Sequence, residues 1–263
     1  MSNELKSESG GSPWRLDGAR ALITGASSGI GLAAAHEFAA LGADLLLVAR
    51  GAERLERARS EILALCPERS VQVLAADVAT VAGREQIRAE VGDSLQILVN
   101  NAGTNIRKRM SELSLEEYRQ VQRVNLESCF DLCRLLHPAL VHGSPAAVVN
   151  NASVAGLTHL RTGAPYGMSK AAMIQLTRNL AVEWAGEGIR VNAVAPWYIR
   201  TPLADQVLAD PAYRQQVLER TPMGRVGEAE ECARAMAFLC MPAAGYVTGQ
   251  CLAVDGGFSV YGF

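Results

Sequence analysis

Short apolar runs closed by turn residues alternate with amphipathic helical patterns along almost the whole chain, and few folds accept that order. Runs at residues 19–24, 44–48, 71–76, 95–99, 146–150, 189–194 and 250–254 read as strands, each followed within three residues by Gly, Pro, Asn or Asp. A first helical pattern opens at a glycine-rich turn, runs through Phe38 and Leu41, and stops at Gly42. Others span residues 52–65, 81–91, 114–136, 165–185, 203–219 and 228–240, the fourth opened by the capping-box sequence Ser114-Leu115-Glu116-Glu117. Strands separated by helices pair in parallel, through right-handed crossovers. The expectation is an α/β fold: one doubly wound, Rossmann-type domain over residues 14–263, with a mainly parallel seven-stranded sheet and helices on both faces. A length of 263 residues suits one such domain. Residues 1–13, polar and carrying Gly10-Gly11, read as a disordered tail.

Composition narrows the classes of partner. Net charge is −2, so there is no basic footprint for nucleic acid or an anionic membrane. No apolar run approaches the ~20 residues that span a bilayer, and the first residues lack the apolar core of a signal peptide. The six cysteines include no C-x-x-C pair and have no histidine cluster beside them, so no metal site is expected. They read as reduced thiols of a cytoplasmic protein.

Ligands of doubly wound sheets bind at the carboxyl ends of the strands, and the notable residues fall there. The turn Gly25-Ala26-Ser27-Ser28-Gly29-Ile30-Gly31 follows the first strand and opens a helix. Its glycines permit a tight approach, and the helix N-terminus favours a pyrophosphate. The second strand ends Val48-Ala49-Arg50, without the carboxylate that commonly binds an NAD ribose. Arg50 instead suits the 2′-phosphate of NADP(H). Asp77, after the third strand, is placed to accept from the adenine amine or to cap the next helix. Tyr166 and Lys170 are four residues apart on one helix, hence on one face. An ammonium near a phenol favours the phenolate, so the pair can exchange a proton with an oxygen near neutral pH.

With these residues in hand, the chain resembles the short-chain dehydrogenase/reductase family over about residues 16–257. Thr24-Gly25-Ala26-Ser27-Ser28-Gly29-Ile30-Gly31 matches its T-G-x-x-x-G-x-G, and Asn100-Asn101-Ala102-Gly103 its N-N-A-G. Ser153, thirteen residues before Tyr166, matches its catalytic serine, and Asn125 its active-site asparagine. Two stretches, Asn101 to Lys108 and Val194 to Pro202, look most like the tropinone-reductase-like reductases.

The resemblance implies NADPH-dependent reduction of a small, cyclic ketone, or the reverse. Tyr166 would protonate the alkoxide. Lys170 would lower the tyrosine pKa and bind the nicotinamide ribose. Ser153 would hold the carbonyl oxygen, and Asn125 a water that links Lys170 to solvent. Val78, Asn101, Ala102, Gly103, Pro196, Ile199 and Thr201 would join the cofactor site, the last two at the carboxamide. His159, Leu160, Trp197 and Tyr198 would wall the substrate pocket. The family usually has Pro-Gly where this chain has Pro196-Trp197, so an indole should reshape that wall. Reduction of carrier-protein-bound 3-oxoacyl groups is a second reading, with Arg107, Lys108 and Arg109 meeting an acidic carrier. A non-catalytic dinucleotide sensor is a third, opposed by the presence of all four polar residues. The resemblance also implies a homodimer or homotetramer formed through helices 114–136 and 165–185. The apolar ending Phe258–Phe263 is a candidate pocket cover or subunit contact.

Overall fold

A computed structural model describes residues 12–262. Within them lies one seven-stranded sheet built from β1 (Arg20–Thr24), β2 (Asp44–Ala49), β3 (Val71–Ala75), β4 (Ile97–Asn100), β5 (Ala146–Asn151), β6 (Ile189–Pro196) and β7 (Cys251–Val254). The order is β3-β2-β1-β4-β5-β6-β7, and every pairing is parallel. The direction of winding reverses between β1 and β4, which opens a crevice at their carboxyl ends.

Alternation along the strands divides the core into two layers. Ala21, Ile23, Leu45 and Leu47 face one layer, where they meet Phe38 of α1 (Gly29–Ala40), Ile62 of α2 (Ala52–Leu65) and Met236 further along the chain. Leu22, Leu46 and Val48 face the other, against Ile87 of α3 (Val81–Val91) and the later helices. Strands buried on both faces need no polar alternation, so they read as continuous apolar runs.

The helix expected over 114–136 is longer and is not uniform. It comprises α4 (Leu115–Gln122), one π-helical turn over Arg123–Glu127, and α5 (Ser128–His142). The Ser114–Glu117 capping box opens it as expected. Inside the wide turn the Val124 carbonyl accepts from the Ser128 hydroxyl at 2.6 Å. α6 (Ala164–Glu183) carries Tyr166 and Lys170. The pattern at 203–219 is two helices, α7 (Pro202–Leu208) and α8 (Pro211–Glu219). Pro211 has no N–H to continue the first, and the Asp210 side chain caps the second by accepting from Ala212 N at 2.9 Å. α9 (Ala229–Cys240) precedes β7. Pro196 does not break β6 but closes it, paired with Val254, a strand end where no donor is needed.

Residues 1–11 of the expected tail lie outside the described residues, as does Phe263. Pro13 is held by its carbonyl, which accepts from Ala243 N at 2.9 Å. Phe258 is buried against Trp197, while Val260 and Tyr261 are exposed.

Candidate active site

A cleft of about 510 Å³ opens along the carboxyl ends of the strands. At its floor β1 and β4 are tied together. The Thr24 hydroxyl donates to Val99 O at 3.2 Å and accepts from Asn101 N at 2.9 Å and Ala102 N at 3.0 Å. Asn101 Nδ2 donates to Thr24 O at 2.8 Å. Above this, Gly25 and Gly29 adopt φ of +67° and +56°, the left-handed region that carries the turn across the cleft. Gly25, Ser27, Ser28, Gly29 and Ile30 line the cleft, and Gly31 does not. Gly31 serves packing: a Cβ there would sit 2.4 Å from both Gly25 O and Asn101 Nδ2.

The residues fit a nicotinamide dinucleotide. Ser28 caps α1 in extended backbone, yet its hydroxyl makes no capping hydrogen bond, and no acidic residue stands in the first turn. The first N–H groups of α1 therefore remain available to an anion at the cleft. Arg50 lines the far end, together with Arg54, which the sequence reading missed. The signal for Arg54 was its i+4 spacing from Arg50 at the start of a helix. Asp77 and Val78 also line that end. Asp77 Oδ1 accepts from Ala79 N at 2.9 Å, whereas Thr80 is the cap of α3.

At the other end the cleft is lined by Asn101, Ala102, Gly103, Ser153, Tyr166, Lys170, Pro196, Ile199 and Thr201. Ser153 follows β5 and starts a short 3₁₀ turn, its hydroxyl accepting from Ala155 N at 3.1 Å. Lys170 is 3% exposed and donates to Asn151 O at 2.6 Å. Its Nζ lies 5.7 Å from the centre of the Tyr166 ring.

The charge state of this pair differs from the expectation. Burial raises the Tyr166 phenol, and the two opposing pulls come from the Ser153 hydroxyl and the Arg107 guanidinium rather than from Lys170. Burial also lowers the Lys170 ammonium from 10.5 to about 8. Between those pH values the unfolded chain holds a proton that the folded chain has lost. Wild-type stability relative to a Lys170→Met variant should therefore rise from about pH 8 to 10.5, by on the order of 3 kcal/mol. Urea melts at the two pH values measure it, and a difference that stays flat with pH would contradict it.

Asn125 does not line the cleft and is wholly buried in the π turn. Its Oδ1 accepts from Thr104 N at 2.8 Å, and its Nδ2 donates to Thr104 O at 3.0 Å and Ser169 Oγ at 3.1 Å. The side chain is thus committed to pinning the loop after β4 against α6. With both Nδ2 hydrogens used, a water held by Asn125 would donate to its Oδ1 or to its main-chain carbonyl.

The substrate end is walled by Leu160, Trp197 and Tyr198. Of the two neighbours expected in the wall, Leu160 lines the cleft, whereas His159 is exposed on the loop after the 3₁₀ turn. The Trp197 indole stacks on Phe258 at 3.7 Å between ring centres and donates to Thr221 Oγ1 at 3.0 Å. The Tyr198 hydroxyl pairs with that of Tyr213 at 2.5 Å, and burial raises its pKa. Residues of α7, Leu203, Ala204 and Gln206, close one side. The basic triplet does not act as one patch: Lys108 is ion-paired with Glu117, Arg109 is exposed, and Arg107 turns into the cleft with Asn105. The carrier-protein reading needed Arg107 on the surface beside its two neighbours.

A family model described as enoyl-(acyl carrier protein) reductase matches residues 25–259. A tropinone reductase homolog of Arabidopsis thaliana is 45% identical over 254 residues, covering 95% of this chain and 96% of that protein. Among crystal structures, a gluconate 5-dehydrogenase from Burkholderia cenocepacia, in complex with NADP and tartrate, superposes with a TM-score of 0.86. It is 33% identical and covers 95% of this chain and 98% of its own. Levodione reductase superposes with a TM-score of 0.89 at 32% identity, covering 94% and 100%.

Proposed function

The chain belongs to the short-chain dehydrogenase/reductase family and is an NAD(P)-dependent oxidoreductase of CH–OH and C=O groups, and from that premise we propose that it reduces a small cyclic ketone with NADPH, or runs the reverse. The observation that carries the reading is the meeting of Ser153, Tyr166 and Lys170 at the cleft end walled by Trp197. A flat indole, held by its stack on Phe258 and its bond to Thr221, suits the face of a ring.

Bound along the cleft, reduced nicotinamide supplies the hydride. The α1 N-terminus binds its pyrophosphate, and Arg50 with Arg54 the 2′-phosphate. Ser153 donates a hydrogen bond to the carbonyl oxygen and orients it toward the phenol. Tyr166, whose pKa is raised by burial, is protonated at neutral pH and gives its proton to that oxygen as negative charge develops. Lys170, fixed by Asn151 O, keeps a positive charge beside the nascent alkoxide and contacts the nicotinamide ribose. Gly103, Pro196, Ile199 and Thr201 shape the nicotinamide end. In this reading the protein is a cytoplasmic homodimer or homotetramer; among the described residues no helix is long and apolar enough to cross a membrane.

The test is a set of initial rates with cyclohexanones, cyclic diketones and a 3-oxoacyl thioester, each with NADPH and NADH. Turnover of cyclic ketones with NADPH is the expected result. Measurable NADPH binding with no turnover of any carbonyl compound would overturn the reading.

A further inference from the structure

We propose that the ketone taken by this site carries a carboxylate, and that Arg107 is the group that reads it. The inference rests on the ketone-reductase reading above and names its substrate class.

Arg107 is held in place by its loop. Thr104 is clamped at both N–H and C=O by Asn125, Lys108 is paired with Glu117, and the Ile106 carbonyl packs closely on Gly163. The guanidinium side of that loop faces the cleft. Its Nε is shut off from solvent and has no hydrogen-bond partner, and no carboxylate among the described residues forms an ion pair with it. A donor shut off from solvent is costly unless a partner completes it.

Nothing else in the cleft supplies that partner. Asp77 is the one carboxylate among its lining residues, and it stands at the Arg50 end with an oxygen committed to Ala79 N. Arg107 lines the same cleft as Tyr166 and Tyr198, and its charge opposes the rise of both phenols. Lys170 is not free for the role, because it is held on Asn151 O and, in the reading above, serves the nicotinamide ribose and the nascent alkoxide. A guanidinium fork matches a carboxylate with two parallel hydrogen bonds. A ketone bearing an ammonium group would meet Arg107 and Lys170 with like charge and be disfavoured.

The decisive measurement compares matched ketones with NADPH: 3-oxocyclohexanecarboxylate, its methyl ester, and protonated N-methyl-4-piperidone. Wild type should prefer the carboxylate to the ester by roughly 10- to 150-fold in kcat/KM, mostly through KM, the range for a hydrogen bond to a charged group. The piperidone should be the poorest of the three. Arg107→Met should bring the carboxylate-to-ester ratio near one, and Arg107→Lys should keep part of it by retaining charge without the fork. Equal use of acid and ester by wild type, or a ratio that survives Arg107→Met, would overturn the proposal.

A second readout separates this inference from the reaction reading. The NADP⁺-loaded protein is titrated calorimetrically with cyclohexanecarboxylate, which has no carbonyl to reduce. Binding lost in Arg107→Met supports the proposal even if none of the three ketones turns over. No binding by wild type counts against it even if neutral ketones are reduced.

Discussion

Tyr166→Phe should lower kcat for ketone reduction by about 10²- to 10⁴-fold, the range for loss of a positioned general acid. The substitution removes one oxygen and keeps the ring, so the packing of α6 changes little. The phosphate end of the cleft is untouched, and NADPH binding, followed by cofactor fluorescence, should persist. Ser153 remains to orient the carbonyl, which is why the expected loss is not total. With no positioned donor the alkoxide must take its proton from water, a slower route. A variant with near-normal turnover would remove Tyr166 from the mechanism, whatever its position.

The combined Arg50→Ala and Arg54→Ala change should lower kcat/KM for NADPH by about 10²-fold and leave NADH nearly unaffected. A charged hydrogen bond contributes about 1.5–3 kcal/mol. Both residues are exposed, so each is taken at the low end, about tenfold. Screening makes the effect depend on ionic strength, and the NADPH preference of wild type should narrow as salt is raised. Equal losses with both cofactors would mean that the pair serves α2 rather than a phosphate.

The sheet was legible in the sequence because burial on both faces writes each strand as a short apolar run between turn residues. The seven strands lie where those runs stand, with ends shifted by one or two residues. The helix pattern was less reliable where a local signal competed with periodicity. At 203–219 the apolar spacing ran through Asp210-Pro211, although the missing N–H of Pro211 ends a helix there. The π turn left no local trace: its cause is tertiary, the pull of Thr104 and Ser169 on Asn125. Site chemistry divided in the same way. Residues fixed by strand ends, such as Ser153 and Asn101, could be placed from order alone. The inward turn of Arg107 and the outward turn of His159 depend on loop paths that spacing does not specify. The direction of the Tyr166 shift was misjudged because an ammonium one helical turn away was weighed without the desolvation of the phenol itself.

The wide turn at Arg123–Glu127 has a genetic consequence. An α-helix advances about 100° per residue, so a π turn amounts to one residue inserted into an otherwise regular helix. Deleting a single codon within it would let α4 and α5 fuse into an ordinary helix with conventional hydrogen bonds, a locally comfortable outcome. Asn125 or its replacement would then swing about a quarter-turn from Thr104 and Ser169, and the loop bearing Arg107 would lose its clamp. The protein would keep its sheet and its dinucleotide crevice while forfeiting substrate discrimination. If Arg107 reads the substrate, chain length over these five residues sets specificity separately from stability.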